Sequence, residues 1–261
     1  MDKIEANKIA WDKLAKDHYE NFINKLEKTP MLLSNAIVKE LGDISGKKLI
    51  HLQCNVGQDT LSLNNLGAKV TGVDIAPENI KYARKLAEHF QIDARYIESD
   101  IMKLADIHKE KYDIVFTSEG AIGWLPDFNV WARTIKGLLK KDGFFYVNDI
   151  HPFFLMLNED EYVKRKTKLK YPYFGRIPDQ GETIGGYAAT PREAVSYYWM
   201  YSISDVVNAL IDAGLKIEYI HEFDTLCYKL GDMEKAESGY RFPEHKGLLP
   251  LEFSIKATIE N

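Results

Sequence analysis

Residues Leu49 to Leu61 read LIHLQCNVGQDTL, an apolar run that turns polar, passes Asn55 and Gly57, and enters a segment that Asp59 or Thr60 can start as a helix. Strand, tight turn and helix in that order open a parallel sheet. The alternation continues downstream. Short apolar runs at Lys48 to Cys54, Lys69 to Ile75, Ala94 to Asp100, Tyr112 to Ser118 and Phe144 to Ile150 are separated by helical patterns at Asp59 to Leu66, Pro77 to Phe90 and Phe128 to Leu139. This order predicts an α/β fold with a doubly wound, mostly parallel sheet covered on both faces. Ligands of such sheets bind beyond the carboxyl ends of the strands, so polar residues there are the candidates for function.

Toward the C-terminus, an amphipathic segment from Ser202 to Ala213 leads through Gly214 to a strand, Leu215 to Phe223, and the alternating run Leu251 to Ile259 closes the chain. These complete a sheet of about seven strands, a usual size. Toward the N-terminus, Lys3 to Lys28 spaces Ile4, Ile9, Trp11, Leu14, Tyr19, Phe22 and Leu26 in a helical pattern that Thr29-Pro30 ends, and a second helix runs from Met31 to Leu41. The expected organisation is a helical N-terminal cap over 1–42 and a sheet domain over 43–261. Two stretches, 152–200 and 224–249, break the alternation and read as insertions over the ligand face, because long loops in a compact domain are usually functional.

Composition narrows the function classes. The 45% hydrophobic content supports a sizeable core, and a formal net charge of -5 argues against a surface that neutralises phosphates. The dense basic run Lys164 to Lys170 reads as a solvated face. No apolar stretch spans a bilayer and no apolar leader precedes the first helix, so a cytoplasmic protein is expected. Cys54 and Cys227, the two cysteines, suit a reducing compartment and form no disulfide framework or Cys-built zinc site.

The strand ends carry the chemistry. About 20 residues after the first turn, GVDIAPENI places Asp74 at the end of the second strand, where a carboxylate can accept both hydroxyls of a ribose. The third strand delivers Asp100 and Ile101 in ESDIMKL: the carboxylate can accept from an exocyclic amine and the Ile can cover a ring face. The fourth ends FTSEGAIGWL and brings Ser118, Glu119 and Gly120 to the middle of the cleft.

Together these four strand ends resemble the class I SAM-dependent methyltransferases, and HLQCNVGQDTL followed by GAKVTGVDIAPENI is similar to a bacterial small-molecule subgroup of that superfamily. The resemblance runs from Lys47 to Ile150 and more weakly to Ile259. It implies a Rossmann-like methyltransferase fold, S-adenosyl-L-methionine (SAM) as cofactor, S-adenosyl-L-homocysteine (SAH) as product, and a small-molecule acceptor. It also implies that Gln53, Cys54, Asn55 and Gly57 lie against the methionine part of SAM, that Asp74 binds the ribose, with Ile75 also among the cofactor contacts, that Asp100 and Ile101 hold the adenine, and that Ser118 or Glu119 borders the methyl group. Trp11 and Tyr19 would close over the cofactor, as such helices do in related enzymes. The family's turn is acidic and glycine-rich, whereas here His51, Gln53 and Asn55 stand at the corresponding positions and Gly57 alone remains. Asn55 can keep the turn shape by adopting positive φ, and Gln53 can hydrogen-bond the amino or carboxylate group of SAM.

Methyl transfer needs in-line approach of a nucleophile, so orientation supplies much of the acceleration and a general base is optional. Candidates for a base are His151 in NDIHPF, Glu119 and His221. Tyr171, Tyr173, Phe174, Tyr187, Tyr197, Tyr198, Trp199 and Tyr201 crowd the first insertion; they suit either core packing or a pocket for a flat or cationic acceptor. Trp124 and Leu125 read as wall residues. The scattered His residues lack metal-ligand spacing, so no metal is expected, and the Pro-Pro-Tyr or Pro-Cys signatures of DNA-modifying relatives are missing. The expected partner is a small molecule, with no nucleic acid and no membrane, and the chain acts as a monomer or homodimer. Two other readings share the sheet: a SAM-binding sensor or assembly protein without turnover, and an NAD-dependent oxidoreductase, which needs a GxGxxG turn that this chain lacks.

Overall fold

The apolar runs pair as the alternation requires. Strands β1 (Lys48–Leu52), β2 (Lys69–Asp74), β3 (Arg95–Glu98), β4 (Tyr112–Ser118) and β5 (Leu139–Ile150) lie parallel to one another. The molecule is described by a computed structural model covering residues 1–186 and 188–260, so the expected aromatic Tyr187 lies outside the described residues. Helices α1 (Lys3–Asp12), α2 (Ala15–Leu26) and α3 (Asn35–Leu41) precede the sheet, and α4 (Gln58–Asn65), α5 (Pro77–His89), α6 (Ile101–Ile107) and α7 (Phe128–Leu138) connect its strands. Next come α8 (Pro152–Leu155), α9 (Glu159–Val163), the hairpin β6 (Pro178–Gly186) and β7 (Ala189–Trp199), and α10 (Ile203–Asp212). Strand β8 (Leu215–Phe223), the small hairpin β9 (Glu234–Ala236) and β10 (Gly239–Arg241), and β11 (Glu252–Ile259) end the chain.

The main sheet has seven strands in the order β3-β2-β1-β4-β5-β11-β8, with β11 antiparallel to both neighbours. The order reverses direction between β1 and β4, and this switch point opens the cleft in which such sheets bind ligands. One face buries Ile50, Val115, Phe145 and Ile255 under α6, α7 and α10, with Trp131 and Leu210 among the covering side chains. The other buries Leu49, Phe116 and Tyr146 under α3 and α4, where Ile37 and Leu63 are fully enclosed.

Five differences from expectation follow. The N-terminal helix is two helices, broken at Lys13-Leu14, because Leu14 turns inward and packs beside Ala10 and Ile184. Its buried face is Ala6, Asn7 and Ala10 rather than the larger residues, and Ile9 is exposed, since only a small-residue face lets α1 lie close against β7. Helix α3 belongs to the covering layer of the sheet, not to a cap. Strand β5 starts at Leu139, five residues before Phe144, and its irregular pairing with β4 passes Gly143, where a Cβ would stand 2.8 Å from the Asp113 carbonyl. Helix α6 has no counterpart in the sequence reading; it is short and Asp100 caps it. Within the insertions, the β6–β7 hairpin packs on α1, and Asn35 Nδ2 donates to the Glu237 carbonyl to tie the small hairpin to α3. No helix among the described residues is long and apolar enough to cross a membrane.

Candidate active site

The turn after β1 is wound by alternate left-handed residues, Gln53 (φ 57°), Asn55 (φ 51°) and Gly57 (φ 82°). The expected positive φ at Asn55 is present, and Gln53 adds a second that sequence reasoning missed. Gly57 is required, because a Cβ there would meet the Tyr96 hydroxyl at 2.7 Å. Gln53 Nε2 donates to the Ala121 carbonyl at 2.8 Å, which leaves its Oε1 buried, unpartnered and available only as an acceptor. Asn55 Nδ2 lies 2.7 Å from His18 Nδ1, tying the turn to α2. Cys54 is fully buried against Tyr96 and Gly72, and burial raises its thiol pKa well above the ordinary value.

Asp74 stands at the end of β2 and is 7% exposed. Its Oδ2 accepts the Asn55 N–H at 2.8 Å, while Oδ1 accepts the Ala76 N–H and Asn79 Nδ2. The carboxylate thus clasps the turn to α5, and burial lifts its pKa to about 6. Asp100 caps α6 by accepting the Met102 N–H at 2.9 Å. Its side chain also lines a cavity of about 500 Å³ with Ile75, Glu98 and Ser99 on the strand side and Ile4 and Lys8 of α1 opposite. That volume is in the range of small-molecule sites, roughly 300–1,000 Å³. Ile101, expected beside Asp100 at the ligand, packs into the core under α7 instead, because the first turn of α6 rotates it inward.

At the end of β4 a buried chain of hydrogen bonds runs from α4 back to the strand. Ser118 Oγ donates to Asp59 at 2.9 Å, so His51 Nε2–H donates to Ser118 at 3.2 Å and His51 Nδ1 accepts from Thr60 at 2.9 Å. Burial holds the His51 pKa down at about 3 and lifts that of Asp59 to about 6. The Ser118 hydroxyl is therefore engaged within the protein. Glu119 (φ 29°) leaves the strand's alternation and brings its carboxyl to Cys227 and Glu252. Asp149, which sequence reasoning missed, accepts the N–H groups of Gly120, Ala121 and Ile122 and so fixes the loop after β4. An Asp before the end of a strand facing a Gly-rich loop was the available signal.

His151 is not free to act as a base. It caps α8, where Nδ1 accepts the Phe153 N–H at 3.0 Å and Nε2 donates to Glu222 at 2.9 Å. Its burial lowers its pKa, against the pull of Glu222. His221 pairs with Glu40 on the outer strand, away from the cleft. Trp11 meets Trp124 edge-on at 5.1 Å, and Trp124 meets Tyr198 at 5.2 Å, so α1, the loop after β4 and β7 close together over the switch point. Tyr19 instead packs on Tyr82 of α5 at 5.1 Å. In the first insertion Tyr171 and Tyr198 line a second cavity of about 250 Å³ with Phe154, Met200 and Tyr228. Tyr201 is buried and donates to the Ile150 carbonyl, Tyr197 joins α1 through its backbone, and Phe174 is exposed.

Comparison with known proteins shows a likeness to methyltransferases in sequence and in fold. Residues 50–147 match the family model described as a methyltransferase domain. A ubiquinone biosynthesis O-methyltransferase of Actinobacillus pleuropneumoniae is 30% identical over 135 residues, 49% of this chain and 57% of that protein. Another, from Photorhabdus laumondii, is 28% identical over 161 residues, 62% of each chain. The chain thus matches less than two thirds of the length of these curated relatives. Among solved structures, an S-adenosylmethionine dependent methyltransferase from Listeria monocytogenes superposes with a TM-score of 0.61 at 19% identity, covering 85% of this chain and 95% of its own. DhpI in complex with SAH gives 0.60 at 14% identity and covers 98% and 97%.

Proposed function

We propose that this chain, whose residues 50–147 match a methyltransferase domain, is a class I SAM-dependent methyltransferase that binds SAM across the ends of β1 to β4 and transfers its methyl group to a small-molecule acceptor. SAM supplies a methyl group on a sulfonium, which a nucleophile can displace directly. The observation that carries the reading is the Gln53 Oε1, a buried acceptor with no partner at the left-handed turn where the resemblance puts the methionine part of the cofactor. A buried acceptor gains most from a charged donor such as an ammonium. The carboxylates at the next two strand ends fit the same cofactor. Asp74 has three donors, within the capacity of a carboxylate, and can accept a ribose hydroxyl, while Asp100 faces the cavity that suits an adenine.

The rest of the chain orients and shields. Helix α1 closes the outer wall of the adenosine cavity, and the Trp11, Trp124 and Tyr198 contacts exclude water from the switch point. Glu119 stands at the acceptor end. With both nitrogens of His151 engaged, catalysis rests on positioning rather than on that imidazole. The net charge of -5 favours a small acceptor over nucleic acid, and we place the chain in the cytoplasm as a monomer or homodimer.

Calorimetric titration with SAM, SAH and NAD tests the reading. SAM and SAH should bind the wild type and not Asp74→Ala, and NAD should bind neither; a folded wild type that ignores SAM and SAH would overturn it. Turnover against an acceptor panel then separates an enzyme from a SAM-binding protein that does no chemistry.

A further inference from the structure

Three side chains from distant parts of the sequence meet beyond the ends of β4 and β11. Glu119 follows β4, Cys227 follows β8, and Glu252 opens β11; one ligand atom from each lies within 4.8 Å of the other two. Glu252 is 2% exposed, and the Cys227 N–H donates to its carboxyl. Among the described residues, the charges that act on the two carboxyls are themselves acidic: Asp149 on both, and Asp59 on Glu119. Gathering acids this way is unfavourable unless protons or a cation compensate them.

An independent feature points to a cation. Asn148 on β5 is fully buried, yet neither its Nδ2 nor its Oδ1 has a partner. It pairs across the sheet with Ser118 and with Ser254, and its carbonyl accepts the Glu119 N–H at 2.9 Å. Side chains alternate along a strand, so Asn148, Ser254 and Glu252, two residues beyond Ser254, share one face. The free amide therefore projects from the row next to Glu252 on the face that carries the cluster. A buried amide without a partner is costly and calls for an explanation.

We propose that Glu119, Cys227 and Glu252 bind one divalent transition-metal ion, with Zn²⁺ the best match, and that the Asn148 amide supports the ligands from behind. One thiolate among two carboxylates excludes the all-oxygen preference of Mg²⁺ and Ca²⁺ and suits a borderline-soft ion. Three protein ligands leave a fourth tetrahedral position open. On binding, the thiol releases its proton to solvent as its sulfur bonds the metal and each carboxylate contributes an oxygen, with no change of oxidation state. The site shares Glu119 with the acceptor end of the proposed function, but its metal binding is tested without SAM or turnover, so failure of one reading is distinguishable from failure of the other.

The full chain, stripped with chelator and dialysed, is titrated with Zn²⁺ by calorimetry in two buffers of different ionisation heat, and with Co²⁺ by absorbance. One Zn²⁺ per chain with proton release, and a thiolate-to-cobalt charge-transfer band, are expected. Cys227→Ser should abolish the band, Glu252→Gln should weaken Zn²⁺ binding, and Asn148→Ala should weaken it about 10-fold or more. Circular dichroism confirms that each variant is folded; if Cys227→Ser is not, the wild-type band and the Glu252→Gln titration decide. Absence of stoichiometric Zn²⁺ binding, a cobalt spectrum without the thiolate band, or a band that survives in folded Cys227→Ser overturns the site.

Discussion

His51 sits on β1 with both ring nitrogens engaged by neutral hydroxyls, and burial holds its pKa at about 3 against an ordinary 6.5. Between those values the unfolded chain binds the proton and the folded chain does not, so this residue removes stability as pH falls, by up to about 1.4 kcal/mol per pH unit. Asp59, lifted from 3.8 to about 6, acts with the opposite sign and removes stability as pH rises through that window. His51→Gln should therefore show a shallower acid-side fall in melting temperature than wild type, read by thermal melts below pH 6.5. Equal slopes would move the acid sensitivity to other groups. At Asp74 the sign concerns binding. A carboxylate accepts from ribose hydroxyls, and its pKa is about 6, so protonation withdraws the acceptor. SAM affinity should fall by about tenfold one pH unit below that value, and the Asp74→Asn variant should lose this pH dependence. Calorimetry at the two pH values checks both; a wild-type affinity independent of pH would take Asp74 out of the ribose contact.

Among the elements, the loop after β4 has its shape imposed by one carboxylate. Asp149 accepts N–H groups from Gly120, Ala121 and Ile122, and a shortened side chain would leave those donors buried and unmade. At about 1–3 kcal/mol for each unsatisfied group, Asp149→Ala should cost upwards of about 3 kcal/mol in urea unfolding. A loss below about 1 kcal/mol would mean that water replaces the carboxylate. Helix α1 is held by a comparable device, since Asn7 Nδ2 donates to the Tyr197 carbonyl at 2.8 Å and its Oδ1 accepts the Tyr197 N–H at 2.7 Å. This pairing extends the edge of β7 with a side chain. Neither device shows in a hydrophobic pattern, because an Asn on a helix and an Asp in a strand read as ordinary polar residues until their partners are known.

At the scale of the molecule, the sheet forms a fixed floor and α1, α2 and the β6–β7 hairpin form a roof joined by Asn7 and by the contact of Arg192 with Asp17. The cavity lined by Ile75, Asp100 and α1 lies beside this roof, so a cofactor bound there as proposed would contact α1. Addition of SAM should slow amide exchange in α1, α2 and β7 and leave β1, β4 and β5 unchanged, as hydrogen-exchange mass spectrometry would show. Asn7→Ala should speed exchange in α1 without ligand, by about 1–3 kcal/mol of lost local stability. Uniform protection across the sheet and roof would argue for a rigid site instead.

The sequence by itself determined the layered α/β fold, because alternating apolar runs and helical segments can bury their apolar surface in few other ways. It also determined the strand ends: Gln53, Asp74, Asp100 and Ser118 all fall at the carboxyl edge, since position along a strand follows directly from where the apolar run stops. The directions of side chains did not follow from it. Ile101 turned into the core once α6 formed, His151 was consumed as a helix cap, and Tyr19 faced α5, each decided by a short helix or a neighbouring surface that leaves little trace in periodicity. The meeting of Glu119, Cys227 and Glu252 was decided by the tertiary structure alone, because β11 inserts antiparallel between β5 and β8 and so carries the start of the last strand to the end of the fourth.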